Sequence, residues 1–327
     1  MATASRTDTS QRPPVLVTRR LPSSVIELLE RHCDVEMNTR AARLPPEELR
    51  ARVAGKRALV CLLTDRIDRA LLDAGRDLAI VANVAVGYDN VDLEAARDRG
   101  VIVTNTPDVL TGAVAEFTWG LILAATRRIA EADRVIRAGQ WKGWGLDYML
   151  GMELRDKQLG IVGYGRIGRA VAARAGGFGM TVAYSDRTGQ SLRDASGAVP
   201  LSFDELLVTS DVVSIHTPLT EETTRLFDRR AFARMKRSAY LVNTSRGPVV
   251  DEEALAWALR EGLLAGAALD VYEREPQVHP DLLALNNLVL AAHLGSATRE
   301  TRTAMADLAA RNVIAVLDGQ PPITPVT

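Results

Sequence analysis

The sequence predicts an α/β protein of two domains, each built on a mostly parallel sheet, and three observations carry that prediction. The chain has 327 residues, more than one hydrophobic core usually serves. Short β-branched runs alternate with helical periodicity in two separate series, one on each side of a long helical stretch. A glycine-rich turn then follows the first strand of the second series and opens directly into an Ala-rich helical pattern.

In the first series, strands are expected at 15–18, 58–64, 78–84 and 101–105, with helices at 23–32, 45–53, 67–74 and 91–99. After Pro107 comes one helical stretch over 111–138, roughly 42 Å long if unbroken. Its apolar positions Val114, Phe117, Trp119, Leu121, Ile122 and Leu123 occupy more than one helical stripe, which predicts burial against two surfaces, either inside one chain or against a partner subunit. Trp141, Trp144 and Tyr148 follow among glycines and read as a loop. The second series places strands at 158–162, 181–185, 211–216, 239–243, 266–271 and 288–292, and helices at 167–176, 203–208, 228–235, 252–261 and 298–317.

Composition narrows the partners. With 40 basic and 41 acidic residues, no charge excess advertises nucleic acid or an anionic membrane, so a small-molecule ligand is expected. The two cysteines, Cys33 and Cys61, are too few for a disulfide framework or a metal cluster and suit a reducing compartment. Residues 1–14 are polar, end in Pro13 and Pro14, and read as a floppy leader without the apolar core of a signal peptide. No charge-free run of about 18 apolar residues is present, and a cytoplasmic protein is expected.

The glycine turn reads Gly163-Tyr164-Gly165-Arg166-Ile167-Gly168 after Leu159-Gly160-Ile161-Val162. Gly163 would permit the tight turn, Gly165 a close approach of backbone to a pyrophosphate, and Gly168 close packing of helix on strand, while the helix N-terminus attracts phosphate. Asp186 ends the next strand roughly 20 residues on, where a carboxylate hydrogen-bonds the adenosine ribose. That favours NAD. Arg187 and Thr188 follow at once and are groups that could clamp the extra phosphate of NADP.

Three polar residues at strand ends of the same series could carry chemistry. Arg246, in Asn243-Thr244-Ser245-Arg246-Gly247-Pro248, lies just beyond a buried strand and can fork a carboxylate. Glu275 precedes Pro276, and His293 ends another strand, both in apolar surroundings. A carboxylate beside an imidazole stabilises the imidazolium, which can then donate a proton to a carbonyl oxygen near neutrality. The chain has four histidines; His32 ends a helix, His279 lies in a Pro-flanked loop, and His216, beside Thr217-Pro218, suits packing near the adenine end of a cofactor. His293 is therefore the expected proton donor.

These residues carry a resemblance that runs nearly end to end. The segments Ala85-Val86-Gly87-Tyr88-Asp89-Asn90-Val91-Asp92, the glycine turn, 243–248, Ala268-Leu269-Asp270-Val271-Tyr272-Glu273 with Glu275-Pro276, and His293-Leu294-Gly295-Ser296 together resemble the D-isomer-specific 2-hydroxyacid dehydrogenases, and within them the glyoxylate and hydroxypyruvate reductases. The resemblance implies two Rossmann-like or flavodoxin-like domains: a substrate domain of residues 1–107 plus 296–327, and a dinucleotide-binding domain of residues 108–295 inserted into it, with the active site in the cleft between them. It also implies that Arg246 and the backbone amides around Val86 and Gly87 hold the substrate carboxylate, with Leu63 lining the pocket. Asp270 and Gly295 would contact the nicotinamide carboxamide, Thr244 and Arg246 flank its ring, Pro218 and Thr223 border the adenosine half, and Thr111 lies near the cofactor. By the same likeness the long helix and the loop bearing Trp141 and Trp144 build a homodimer, one of these aromatics reaching the neighbour's pocket.

The expected reaction is reduction of a small 2-keto acid by NADH or NADPH, with His293 giving the proton, Glu275 keeping the imidazole charged, and Arg246 polarising the carbonyl; no step calls for a metal. Within the family the alternatives are phosphoglycerate, phenylpyruvate or phosphite dehydrogenases. A regulated long phosphoglycerate dehydrogenase would need an appended domain of about 100 residues after the terminal helix, for which the sequence leaves no room. A rival of another class is a dinucleotide-sensing binding protein like the transcriptional corepressors of similar fold; the Arg, Glu and His set and the missing basic stripe speak for the enzyme.

Overall fold

The computed structural model describes residues 12–187 and 197–326, so most of the expected leader and Thr188 lie outside the described residues. The chain divides into two compact units, Met1–Leu110 with Thr298–Thr327, and Thr111–Ala297. No helix among the described residues is long and apolar enough to cross a membrane.

The first unit runs β1 (Pro14–Val17), α1 (Ser23–His32), β2 (Asp34–Met37), α2 (Pro46–Val53), β3 (Ala58–Cys61), α3 (Arg69–Ala74), β4 (Ile80–Asn83), α4 (Leu93–Asp98) and β5 (Ile102–Thr104). Its strands pair in the order β2-β1-β3-β4-β5, all parallel. Alternate residues of the central strands, Leu16, Leu59, Cys61, Val81 and Val103, join Leu49, Val53, Leu71, Leu72, Ala95 and Ala96 of α2 to α4 in one buried cluster. The helix Arg299–Leu317, which returns to this unit, packs with α1 and on β3 and β4. Sequence reading missed β2. It is an edge strand whose Glu36 reaches Lys56 and Arg52 at 2.6 Å each, so its pattern is polar and only its pairing to β1 makes it a strand.

The end of the chain is stapled to this sheet. Asn312, fully buried, takes the amides of Ile323 at 2.9 Å and Thr324 at 3.0 Å on its oxygen, and its amide nitrogen donates to the Thr324 hydroxyl at 2.9 Å. Thr324 donates in turn to the Asn105 carbonyl at 2.7 Å, just past β5.

The second unit opens with α5 (Thr111–Thr126) and α6 (Ile129–Arg137). It continues through β6 (Gln158–Val162), α7 (Arg166–Ala175), β7 (Thr181–Ser185), β8 (Val199–Pro200), α8 (Phe203–Thr209), β9 (Val212–Ile215), α9 (Arg229–Arg234), β10 (Tyr240–Asn243), α10 (Glu252–Arg260), β11 (Gly266–Leu269), α11 (Pro280–Leu283) and β12 (Leu288–Leu290). All pairings are parallel, in the order β12-β11-β10-β9-β6-β7-β8. Parallel strands buried on both faces explain the continuous apolar runs. Leu241, Val213, Ile215, Ala267 and Leu269 pack with α8 to α10, while Leu159, Ile161, Val182, Val242 and Ala268 face α5 and α7. The strand order reverses between β6 and β9, and their carboxyl ends form the crevice where such sheets carry ligands.

The long helix expected over 111–138 is not continuous. It breaks after Thr126, where Arg128 adopts a left-handed backbone at φ 54° and grips Glu131 through two contacts of 2.8 Å. The freed carbonyl of Thr126 is taken by the amide of Met152 at 2.8 Å, as the chain returns across the helix end. The expected burial on two surfaces holds for α5 alone and is met inside the unit, by the sheet and by α7; α6 has no buried residue. The two-residue β8 was also unforeseen, since so short a segment carries no periodicity.

Replacing Asn312 with alanine strands two part-buried amides. Chemical unfolding should show a loss of about 1–3 kcal/mol, with faster hydrogen exchange at Ile323 and Thr324; unchanged stability and exchange would refute the staple.

Candidate active site

The glycine turn sits at the crevice. Gly163 has φ of 95°, a region side chains avoid, and a Cβ on it would lie 2.7 Å from the His216 carbonyl carbon and 2.6 Å from the Thr217 nitrogen, so the loops leaving β6 and β9 touch there. A Cβ on Gly168 would meet the Gly163 oxygen at 2.3 Å, which makes glycine the condition for α7 to approach β6. Gly165 differs: its φ of −78° suits any residue, and a Cβ there would meet nothing within 4 Å. Nothing in the chain requires glycine at this position, and the open space before the N-terminus of α7 fits a pyrophosphate. Arg166, exposed, and Ile167, half-buried, form the first turn of α7.

Asp186 follows β7, and its carboxylate accepts the Tyr164 amide at 3.0 Å, which brings it over the glycine turn. Arg187 faces Glu222 at 3.4 Å, both exposed. Across the crevice, the Thr223 hydroxyl donates to the Pro218 carbonyl at 2.7 Å and accepts the Thr220 amide at 2.8 Å, so Pro218 and Thr223 belong to one turn. His216 meets the Ser214 hydroxyl through Nε2 at 2.8 Å, and burial pushes its imidazole down to about 3. A ring neutral across the physiological range is a poor proton donor, which leaves His293.

The three expected chemical residues lie on loops at the carboxyl ends of β10, β11 and β12. His293 Nδ1 is 2.9 Å from Glu275 Oε2, with 27 and 28% of the two side chains exposed, enough for a reactant to reach the ring but partly out of water. The other Glu275 oxygen accepts the Tyr272 amide at 3.1 Å. Burial pushes the Glu275 carboxyl up, but the hydrogen bond and charge of His293, the Tyr272 amide and the charge of Arg246 together outweigh it and hold the group below the usual carboxylate value. Arg246 donates to the Ser245 carbonyl at 2.8 Å, and its own carbonyl accepts from Asn243 at 2.9 Å. The adjoining Gly247 presses on the Tyr272 backbone, where a Cβ would be 1.9 Å from the carbonyl carbon, so the Arg246 and Glu275 loops are packed backbone to backbone.

His293 itself has φ of 54°, a conformation costing about 1–2 kcal/mol for a side-chain-bearing residue. Asp270 holds it there. The Asp270 carbonyl takes the His293 amide at 2.8 Å, and its carboxylate oxygens take the amides of Leu294 at 2.6 Å and Gly295 at 2.8 Å. Asp270 and Gly295 are thus bonded to each other, and burial raises the Asp270 carboxyl above its ordinary value against the pull of those amides and the His293 charge. Thr244 meets Thr118 of α5 hydroxyl to hydroxyl at 3.0 Å, and Thr111 opens that helix.

In the first unit, Leu63 follows β3, and Val86 and Gly87 follow β4, the neighbouring strand. Sequence reading missed what shapes this loop. Asn105 donates to the Val86 carbonyl at 2.7 Å and Asn83 to the Gly87 carbonyl at 2.9 Å, while Asn90 ties the loop to Leu62 and Asp65. With both carbonyls drawn inward, the Val86 and Gly87 amides find no acceptor among the described residues, an arrangement suited to an anion. Tyr272 was also missed; its hydroxyl donates to the Ala291 carbonyl at 2.6 Å and joins the Glu275 loop to the segment between β12 and His293.

Known proteins share the sequence and the fold of this chain. Residues 119–295 match the family model of the D-isomer specific 2-hydroxyacid dehydrogenase, NAD binding domain. A glyoxylate reductase of Thermofilum pendens is 49% identical over 320 residues, covering 95% of this chain and 93% of that one. One of Thermococcus kodakarensis is 48% identical over 318 residues, 96% of each chain. Among solved structures, an NADPH-dependent glyoxylate/hydroxypyruvate reductase of Sinorhizobium meliloti, in complex with NADP and malonate, superposes with a TM-score of 0.87 at 34% identity over 97% of both chains. The chain belongs to the D-isomer specific 2-hydroxyacid dehydrogenase family, and its Thr111–Ala297 unit holds the segment that matches the family's NAD-binding domain.

Proposed function

We propose that this chain reduces a small 2-keto acid, glyoxylate or hydroxypyruvate, to the D-2-hydroxy acid. The observation that carries the reading is the Glu275–His293 contact at 2.9 Å beside Arg246, on the strand edge of the NAD-binding unit. A nicotinamide dinucleotide held by the glycine turn and Asp186 would supply the hydride for the keto carbon. His293, its Nδ1 held by Glu275, presents Nε2 to the carbonyl oxygen and delivers the proton there as negative charge develops. Glu275 keeps that ring oriented and charged, a contribution of roughly 10²- to 10⁴-fold through general acid catalysis. Arg246 forks the substrate carboxylate and polarises the carbonyl.

The amides of Val86 and Gly87 are read as carboxylate-binding groups of the other unit, with Leu63 as an apolar lining residue. Asp186 favours NAD by taking the ribose hydroxyls, while the exposed Arg187, 3.4 Å from Glu222, leaves NADP as the alternative cofactor. Thr111, Thr244, Asp270 and Gly295 belong to the nicotinamide end, Pro218 and Thr223 to the adenosine end. The two buried, free cysteines suit a reducing cytoplasm. No nucleic acid or membrane enters the reading.

A second copy of the chain is the proposed partner. Ile129, Ile136, Trp141, Trp144, Leu146 and Leu150 are exposed along one stretch, a run of apolar surface that a homodimer would cover. Sedimentation at micromolar concentration should give twice the 35.5 kDa chain mass, and a monomer would reject the assignment.

Glyoxylate should drive NADH oxidation by the purified protein; no turnover with any small keto acid would point to a binding protein instead. Arg246→Ala should raise KM and cut kcat/KM by roughly 10²-fold or more, whereas His293→Ala should cut kcat by roughly 10²- to 10⁴-fold with little change in KM. An active His293→Ala enzyme removes the assigned role.

Glu275→Gln takes away the counter-charge of the imidazolium, so the pH above which reduction declines should fall. A decline unmoved from wild type would contradict the pairing.

A further inference from the structure

Glu252 is a buried carboxylate that the reaction above does not use. It stands in the first turn of α10 with 4% of its surface exposed. It is not needed as a helix cap, since Asp251 already accepts the Ala254 amide at 2.9 Å. Nor does it face solvent as Glu253 does, which pairs with Arg229 at 3.5 Å. Its two oxygens point at the neighbouring loop instead: Oε1 accepts the Glu273 amide at 2.7 Å and Oε2 the His279 amide at 3.3 Å. The Glu273 carboxylate answers by accepting the Glu252 amide at 3.2 Å.

Those two amides stand on either side of Glu275. We infer that Glu252 is a positioning residue for the proton-donating pair: it clamps the 273–279 segment at both ends and so fixes where the Glu275 carboxylate meets His293. The inference rests on the proposed roles of Glu275 and His293. The clamp has a firm base, because Ala254, Leu255 and Leu259 anchor α10 in the core. Burial pushes the Glu252 carboxyl above its ordinary value, and the charges acting on it are those of Glu273 and His279. Burying such a group is costly unless it satisfies amides that nothing else would serve. Loss of the clamp loosens Glu275 from the imidazole without removing either partner.

The test is a cycle of Glu252→Ala, Glu252→Gln and Glu275→Gln, singly and with each Glu252 change combined with Glu275→Gln, read as the pH profile of kcat/KM for glyoxylate reduction. Glu252→Ala should move the alkaline decline to lower pH, in the direction of Glu275→Gln but by less. Glu252→Gln, which keeps one acceptor, should fall between it and wild type, and carries the test where the alanine variant does not fold. With Glu275→Gln in place, either change should add no further shift. Wild-type profiles in the Glu252 variants, or an equal shift in the Glu275→Gln background, would overturn the clamp. If Glu275→Gln alone leaves the profile unmoved, the reading of the pair itself falls and the inference falls with it.

Discussion

The candidate active site depends on keeping one carboxylate within 2.9 Å of one imidazole while the histidine backbone sits in a left-handed conformation. Neither condition is met by local preference. The strained turn at His293 is held by Asp270, which binds three successive amides, and the Glu275 loop is held by Tyr272 and by its packing on Gly247. The restraints begin at two strand ends of one sheet, Asp270 and Tyr272 just beyond β11 and Gly247 beyond β10. The parallel topology is therefore a mechanical requirement: it brings the carboxyl ends of β10, β11 and β12 to one edge, where residues far apart in sequence meet.

Much of this edge could be read from the chain because its chemistry is concentrated in single residues. Gly163 and Gly168 announce backbone approaches that no other residue tolerates, and the contacts at both positions are those expected from a turn and a helix on a strand. His293 stood out by elimination among four histidines, and Glu275 by its place between a buried strand and Pro276. The supporting residues gave no such signal. Asn83 and Asn105 read as strand-end residues, and Glu252 as one of three acidic residues at a helix start, where acidic side chains are ordinary. Their importance lies in which distant backbone group they reach, and sequence periodicity says nothing about that.

The same limit explains the errors in the fold. The central strands were legible because burial on both faces leaves an unbroken apolar run. β2 was not, because an edge strand carrying Asp34 and Glu36 obeys its neighbour rather than its own composition. The helix over 111–138 looked continuous because nothing in its composition forbids helix at 127–128. The break comes from the returning segment at Met152, which claims the Thr126 carbonyl. Both were decided by tertiary hydrogen bonds.

The carboxylates at this edge are sorted by what they bind. Asp270 and Glu252 accept backbone amides, and burial lifts both above their ordinary values. Glu275 is also partly buried, but it faces the charges of His293 and Arg246 and is held down instead. A group lowered in the folded state keeps its ionised partner role as acid is added and gives it up only below the usual carboxylate value. The Glu275 side of the pair therefore stays ionised until the pH falls below the usual carboxylate value. Asp270 and Glu252 hold backbone alone, whereas Glu275 holds the Tyr272 amide with one oxygen and faces the His293 imidazole with the other.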